Sequence, residues 1–223
     1  MQDVEKDIRE RLAKMAHRMW DEELTTKTGL YWGGGNISMR VPGTERILIK
    51  PSGFSFGDLK SEDFIVVDLY GKVLAGKNKP SSETPMHTTI FRKRSDVGSV
   101  VHTHSFYADV MGIAGVELQP ILFSGGHPAL LKGVKIAPWR AGGTQEIADI
   151  AAEYLKDCSA TLLQYHGCIV VGKDIESAFH LASKVEELAK KQWMAMQVGK
   201  PGVLPKRIRN EMLEKAKQRG MLV

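Results

Sequence analysis

Cysteine is nearly absent from this chain. Cys158 and Cys168 are the only two in 223 residues, too few and too irregularly spaced for a disulfide framework. Cys168 comes just after a histidine and opens an apolar run, which reads as a buried strand residue. Long apolar runs are also missing; none approaches the roughly 18 residues of a membrane span. The opening MQDVEKDIRERLAK is charged and has no apolar centre, so it does not read as a secretory signal and the expected address is the cytoplasm. There is no internal repeat and no low-complexity segment. Disulfide scaffolds, membrane spans and repeat architectures are thereby set aside. What remains, 43% hydrophobic and 26% charged residues, is the balance of a soluble globular protein with a full core.

Charge of one sign is in modest excess, +5 at neutral pH. The cations are scattered, except for a denser stretch of Lys206, Arg207, Arg209, Lys215, Lys217 and Arg219. Glu211 and Glu214 interrupt that stretch as they would on a solvated helix. No nucleic-acid motif accompanies it, and neither nucleic acid nor membrane is expected as a partner. A basic balance also suits an enzyme of anionic metabolites, which it draws toward the site.

Hydrophobic spacing predicts helices over 4–24, 105–113, 144–155 and 175–198, and a last helix after a 199–205 linker. Short strands are expected at 37–41, 46–50, 64–69, 100–103, 160–164 and 168–171, with turns at Pro51-Ser52-Gly53 and Tyr70-Gly71. Pro80-Ser81-Ser82-Glu83-Thr84-Pro85 reads as a loop entering a helix, with serine as N-cap and an acid and a proline in the first turn. Residues 114–138 read as irregular. The sum is one α/β domain over 1–223 whose sheet includes antiparallel neighbours.

His102-Thr103-His104 closes an apolar strand, where positions i and i+2 share a face and can reach one ion. His166 follows another apolar strand, beside a glycine. Three imidazoles with an open position describe a catalytic zinc site. Each unit alone is also compatible with an ordinary core or turn histidine. Glu83, at a helix start, is the acid best placed to join them, although the helix dipole alone would favour an anion there. Three small-residue turns, Gly35-Asn36-Ile37-Ser38, Pro51-Ser52-Gly53 and Ser81-Ser82, offer backbone N–H groups and short polar side chains to a phosphate. None is a P-loop, and each alone is also an ordinary turn.

GGGNISMR, IKPSG, KPSSETPMH, VVHTHS and LLQYHGCIVVG, in this order, resemble the class II aldolase family that contains L-fuculose-1-phosphate aldolase and L-ribulose-5-phosphate 4-epimerase. The resemblance implies a mainly antiparallel central sheet flanked by helices in a three-layer arrangement, assembled as a homotetramer with active sites between subunits. It implies Zn2+ on His102, His104 and His166, a place that Mn2+, Co2+ or Fe2+ could also take. Glu83 would bind the metal in the empty site and act as the acid/base once substrate arrives. Asn36, Ser52, Gly53, Ser81 and Ser82 match the phosphate cradle, with Gly35 beside them and Lys50 adding charge.

Glu83 is the aldolase choice; epimerases resemble it but carry aspartate there, and the epimerase aspartate would fall near His127-Pro128-Ala129, where this chain has alanine. The resemblance therefore implies retro-aldol cleavage of a ketose 1-phosphate to dihydroxyacetone phosphate and a short aldehyde. Epimerisation, dehydration or decarboxylation of a related sugar phosphate, and a non-catalytic module like the adducin head, stay as alternatives. The family's catalytic tyrosines would fall near Leu122-Phe123-Ser124 and Arg219, where this chain has none. His127 or a metal-bound water is the expected substitute.

Overall fold

A computed structural model of the chain describes residues 2–26, 34–123 and 126–220. Gly33, Ser124 and the last three residues, which the sequence reading uses, lie outside them. Eight strands form one sheet: β1 (Gly35–Arg40), β2 (Arg46–Ile49), β3 (Ile65–Asp68), β4 (Val73–Ala75), β5 (Ser99–Thr103), β6 (Lys135–Ala137), β7 (Ala160–Leu163) and β8 (Gly167–Gly172). Their spatial order is β4-β3-β2-β1-β5-β8-β7-β6. Every neighbouring pair is antiparallel except β6 with β7, as the mixed reading anticipated.

Side chains alternate across the strands and so feed two cores. Ile37, Met39, Val101, Cys168 and Val170 pack on one face with residues of α1 (Gln2–Asp21) and α5 (Ile175–Val198). Ala108 and Met111 of α3 (Phe106–Ala114) join that core. Ile47, Ile49, Val100, Ile169 and Val171 pack on the other face with α2 (Thr84–Lys93) and α4 (Gln145–Tyr154). The result is helix, sheet, helix in three layers. The last helix, α6 (Lys206–Gln218), lies against a 3-10 turn at Pro128–Lys132.

Three readings need correction or completion. The cap of α2 is Glu83 rather than a serine, and its side chain makes no capping bond. Ser81 acts one step earlier: its Oγ accepts from the Glu83 N–H and its carbonyl from Thr84. This frees the Glu83 carboxylate to point elsewhere. The stretch read as irregular contains the 3-10 turn and β6, and Val73–Ala75 forms β4. Both missed strands have three residues and lie at the two edges of the sheet, too short to show a period of two.

Candidate metal and phosphate site

The central strands bring the candidate residues to one end of the sheet. In register, Asn36 of β1 stands opposite His102 of β5, which stands opposite Ile169 of β8. Residues opposite one another in antiparallel strands share a face. Asn36, Ser38 and His102 are therefore a polar island on the face otherwise covered by the apolar side chains under α2 and α4. Gly35 opens β1 at φ 98°, and a methyl there would meet the His102 carbonyl oxygen at 2.3 Å. Only glycine permits that approach.

His102, His104 and His166 converge so that one nitrogen of each lies within 4.8 Å of the others. The rings stand nearly perpendicular, with centroids 4.7, 4.9 and 5.2 Å apart. His102 Nδ1 lies 2.9 Å from the carbonyl oxygen of Cys168, so it carries the proton and donates. That leaves Nε2 as the lone-pair nitrogen, and Nε2 of His104 sits 2.9 Å from it. A carbonyl that fixes the tautomer of a ligating imidazole is the usual outer support of a metal site. Burial, first, and then the neighbouring His104 and His166 rings hold the His102 pKa well below its ordinary value. Burial likewise lowers His166, and with His166 nearby brings His104 to about 4. All three are thus neutral, as metal ligands must be.

Glu83 reaches the same place from α2. It is buried, and its Oε2 has no hydrogen-bond partner. Burial raises its pKa, opposed in part by a hydrogen bond from the Gly143 N–H. A methyl on Gly142 would stand 3.0 Å from Glu83 Oε1 and 3.3 Å from His166 Cε1, so the carboxylate and the imidazole flank one glycine. An unpaired buried carboxylate oxygen is costly on its own. It stands beside three neutral imidazoles whose own donor set fits a divalent cation of the zinc type.

The three small-residue turns also meet. The Lys50 N–H donates to the Ile37 carbonyl, the Ser81 N–H to the Lys50 carbonyl and the Ser52 N–H to the Lys79 carbonyl, at 2.9 to 3.1 Å. Pro51 bridges Pro80. Residues 50–53 are thereby fastened to 79–82 beside β1. Ser52, Gly53 and Ser82 are exposed and Ser81 half-buried, while Asn36 and Lys50 are buried. A Cβ on Gly143 would stand 3.2 Å from the Ser82 carbonyl oxygen, so the Gly142-Gly143 loop joins the turns to Glu83. Lys50 Nζ donates to the Pro51 carbonyl at 3.3 Å and lies 4.9 Å from the Phe56 ring. It has no carboxylate partner among the described residues, and burial brings its pKa down to about 8.

The aldehyde end differs from the expectation. Phe123 is exposed and Arg219 caps the exposed end of α6. His127 uses Nδ1 to accept the Ala129 N–H and packs its ring 5.8 Å from His180 of α5. It is a capping residue. Burial, then His180 and Lys184, bring its pKa down to about 4. A hydroxylated aromatic does stand next to the metal cluster: Tyr165, exposed and held at φ 57° in the β7–β8 turn immediately before His166. Sequence reasoning passed over Tyr165, the glycine pair at 142–143 and His87, although His87 lies in the KPSSETPMH segment, four residues after Glu83. A separate cavity of 680 Å³ beside β6, lined by residues such as Lys135, Tyr154 and Cys158, includes none of the site residues.

Known proteins share this sequence and fold. The family model described as Class II Aldolase and Adducin N-terminal domain matches residues 10–193. The 5-deoxy-D-ribulose 1-phosphate aldolase of Bacillus thuringiensis serovar kurstaki is 36% identical over 201 residues, 88% of this chain and 89% of the relative. The 5-methylthioribulose-1-phosphate/5-deoxyribulose-1-phosphate aldolase of Rhodospirillum rubrum is 34% identical, covering 87% of each chain. Among solved structures, an L-fuculose 1-phosphate aldolase superposes with a TM-score of 0.85 at 31% identity over 95% of this chain and 96% of its own. Family model, relatives and structural superposition thus lead to one assignment: the chain belongs to the class II aldolase family.

Proposed function

We propose that this protein is a zinc-dependent lyase that cleaves a ketose 1-phosphate to dihydroxyacetone phosphate and a short aldehyde. One observation carries the reading: a buried carboxylate with an unpaired oxygen, Glu83, stands between three convergent neutral histidines and three fastened small-residue turns. His102, His104 and His166 would hold the metal, with Glu83 as a fourth donor. A bound divalent cation supplies Lewis-acid stabilisation of the charge that builds on the carbonyl oxygen as the carbon–carbon bond breaks.

The protein's own groups would do the rest. Asn36, Ser52, Gly53, Ser81 and Ser82 grip the phosphate with short donors, and Lys50 adds the countercharge. Gly35 keeps β1 close enough to β5 to place Asn36 beside His102. Glu83 returns a proton to carbon 3 in cleavage and removes it in synthesis. The names of the relatives favour a ketose 1-phosphate with a small, deoxygenated far end.

No helix among the described residues is long and apolar enough to cross a membrane, which suits a cytoplasmic enzyme. Phe106, Phe123, Trp139 and Tyr165 are largely exposed aromatics, which suits a homotetramer burying them between subunits.

The test is a panel of ketose phosphates and sugar-acid phosphates with product identification. The zinc-loaded protein is expected to release dihydroxyacetone phosphate, to lose that activity in EDTA and to regain it with Zn2+. Turnover untouched by EDTA, or an epimer or decarboxylated product instead, would overturn the assignment.

A further inference from the structure

His87 is buried completely, yet the assigned site does not use it. It sits one helical turn after Glu83 on α2, so the two project from the same side of that helix. Its ring enters the polar island on the sheet, where Nδ1 lies 2.6 Å from Ser38 Oγ and Nε2 makes a short hydrogen bond to Asn36 Oδ1. The Ser38 carbonyl in turn accepts from Ser99 Oγ at 2.7 Å, which adds to the anchoring of the inner end.

Hydrogen-bond polarity follows from the acceptor. A side-chain amide oxygen can only accept, so Nε2 carries the proton and donates to Asn36. Nδ1 is then the lone-pair nitrogen and receives the Ser38 hydroxyl proton. Burial lowers the His87 pKa to about 3, so the ring stays neutral and keeps one donor and one acceptor. The arrangement fixes which way the Asn36 amide faces. With Oδ1 held inward, Nδ2 and its two N–H groups face the other way, and they have no protein partner among the described residues. An unrestrained amide could flip and turn its oxygen toward an anion, which would be repelled.

We propose that His87 is a positioning residue that locks the Asn36 side chain with its N–H groups turned to the substrate phosphate. The proposal rests on the reading of Asn36 as a phosphate donor. His87 touches neither substrate nor metal; it acts through Asn36.

Two near-isosteres separate its contacts. In H87Q the amide nitrogen takes the place of Nε2 and can still donate to Asn36. In H87N the shorter amide reaches the place of Nδ1, meets Ser38 and leaves Asn36 Oδ1 without its donor. Inorganic phosphate titrated into the zinc-loaded protein and followed by 31P NMR reads the effect directly.

H87N is expected to weaken phosphate binding roughly tenfold, the size of one lost hydrogen bond to an oriented group, whereas H87Q should restore most of it. N36A should weaken binding as well, and the double variant N36A/H87N should be no weaker than N36A alone. If N36A leaves phosphate affinity unchanged, the phosphate reading of Asn36 fails and this proposal with it. If N36A weakens binding but H87N does not, or H87Q and H87N behave alike, only the role of His87 is overturned. Should neither His87 variant fold, 15N-histidine NMR of the wild-type zinc protein decides: a proton on Nε2 supports the lock, and a proton on Nδ1 overturns it.

Discussion

At the scale of single residues, burial sets the chemistry. Glu83 keeps a carboxylate oxygen without a partner, so its truncation to an amide tests the acid/base role directly. E83Q is expected to lower kcat by about 10²-fold or more, the range for losing a general acid/base, while the three histidines still retain metal by elemental analysis. An unchanged kcat would remove Glu83 from the mechanism.

Lys50 makes a second, independent prediction from its pKa of about 8 against an ordinary 10.5. Below about pH 8 folded and unfolded chains both hold the proton, and folding bears the full cost of burying an ammonium. Between there and about pH 10.5 the unfolded chain holds more protons than the folded one, so stability must rise with pH through that window. Thermal melts of wild type and K50M should diverge accordingly: the wild type gains relative to K50M on going from pH 8 to 10.5. A constant difference would mean that Lys50 is solvated in the folded state. The residue types at 83, 102, 104 and 166 were legible because donor chemistry is written in the side chain. The role of His87 was not, because a histidine's partners and tautomer depend on what the fold sets against it.

At the scale of elements, the long periodic helices were read well and the short edge strands were not. The span 175–198 was predicted and observed, because its apolar positions recur over 24 residues and Asp174 closes a capping box, accepting from the Ser177 N–H at 2.8 Å. D174A is expected to cost roughly 1 kcal/mol, lowering the melting temperature by about 2–4 °C for a protein of this size. No change in the melt would show that packing on β8 alone holds the helix start. The cap of α2 was misread for an instructive reason. Two serines before a helix are the expected capping residues, but here Ser81 holds the Glu83 N–H instead. The local rule yields where a side chain is needed elsewhere.

At the scale of the whole molecule, the site is assembled from segments far apart in the chain: β1, the turns at 50–53 and 79–82, the start of α2, the end of β5, the 142–143 loop and the β7–β8 turn. The tetramer reading has a direct check. Light scattering is expected to give a mass near four chains at working concentration, with activity lost on dilution to monomer; a fully active monomer would show that each chain completes its own site. Composition, charge, the helices and the inner strands, and the candidate donors proposed for metal and phosphate were determined by the sequence alone. Each of these depends on residue chemistry or on spacing within a few positions. Sheet order, the convergence of His166 on His102 and His104, the unpaired oxygen of Glu83 and the His87–Asn36 contact were decided only by tertiary structure. They arise from contacts between separate segments of the chain, 51 positions apart for His87 and Asn36, or from how packing buries a side chain. No local pattern in a single chain encodes those pairings.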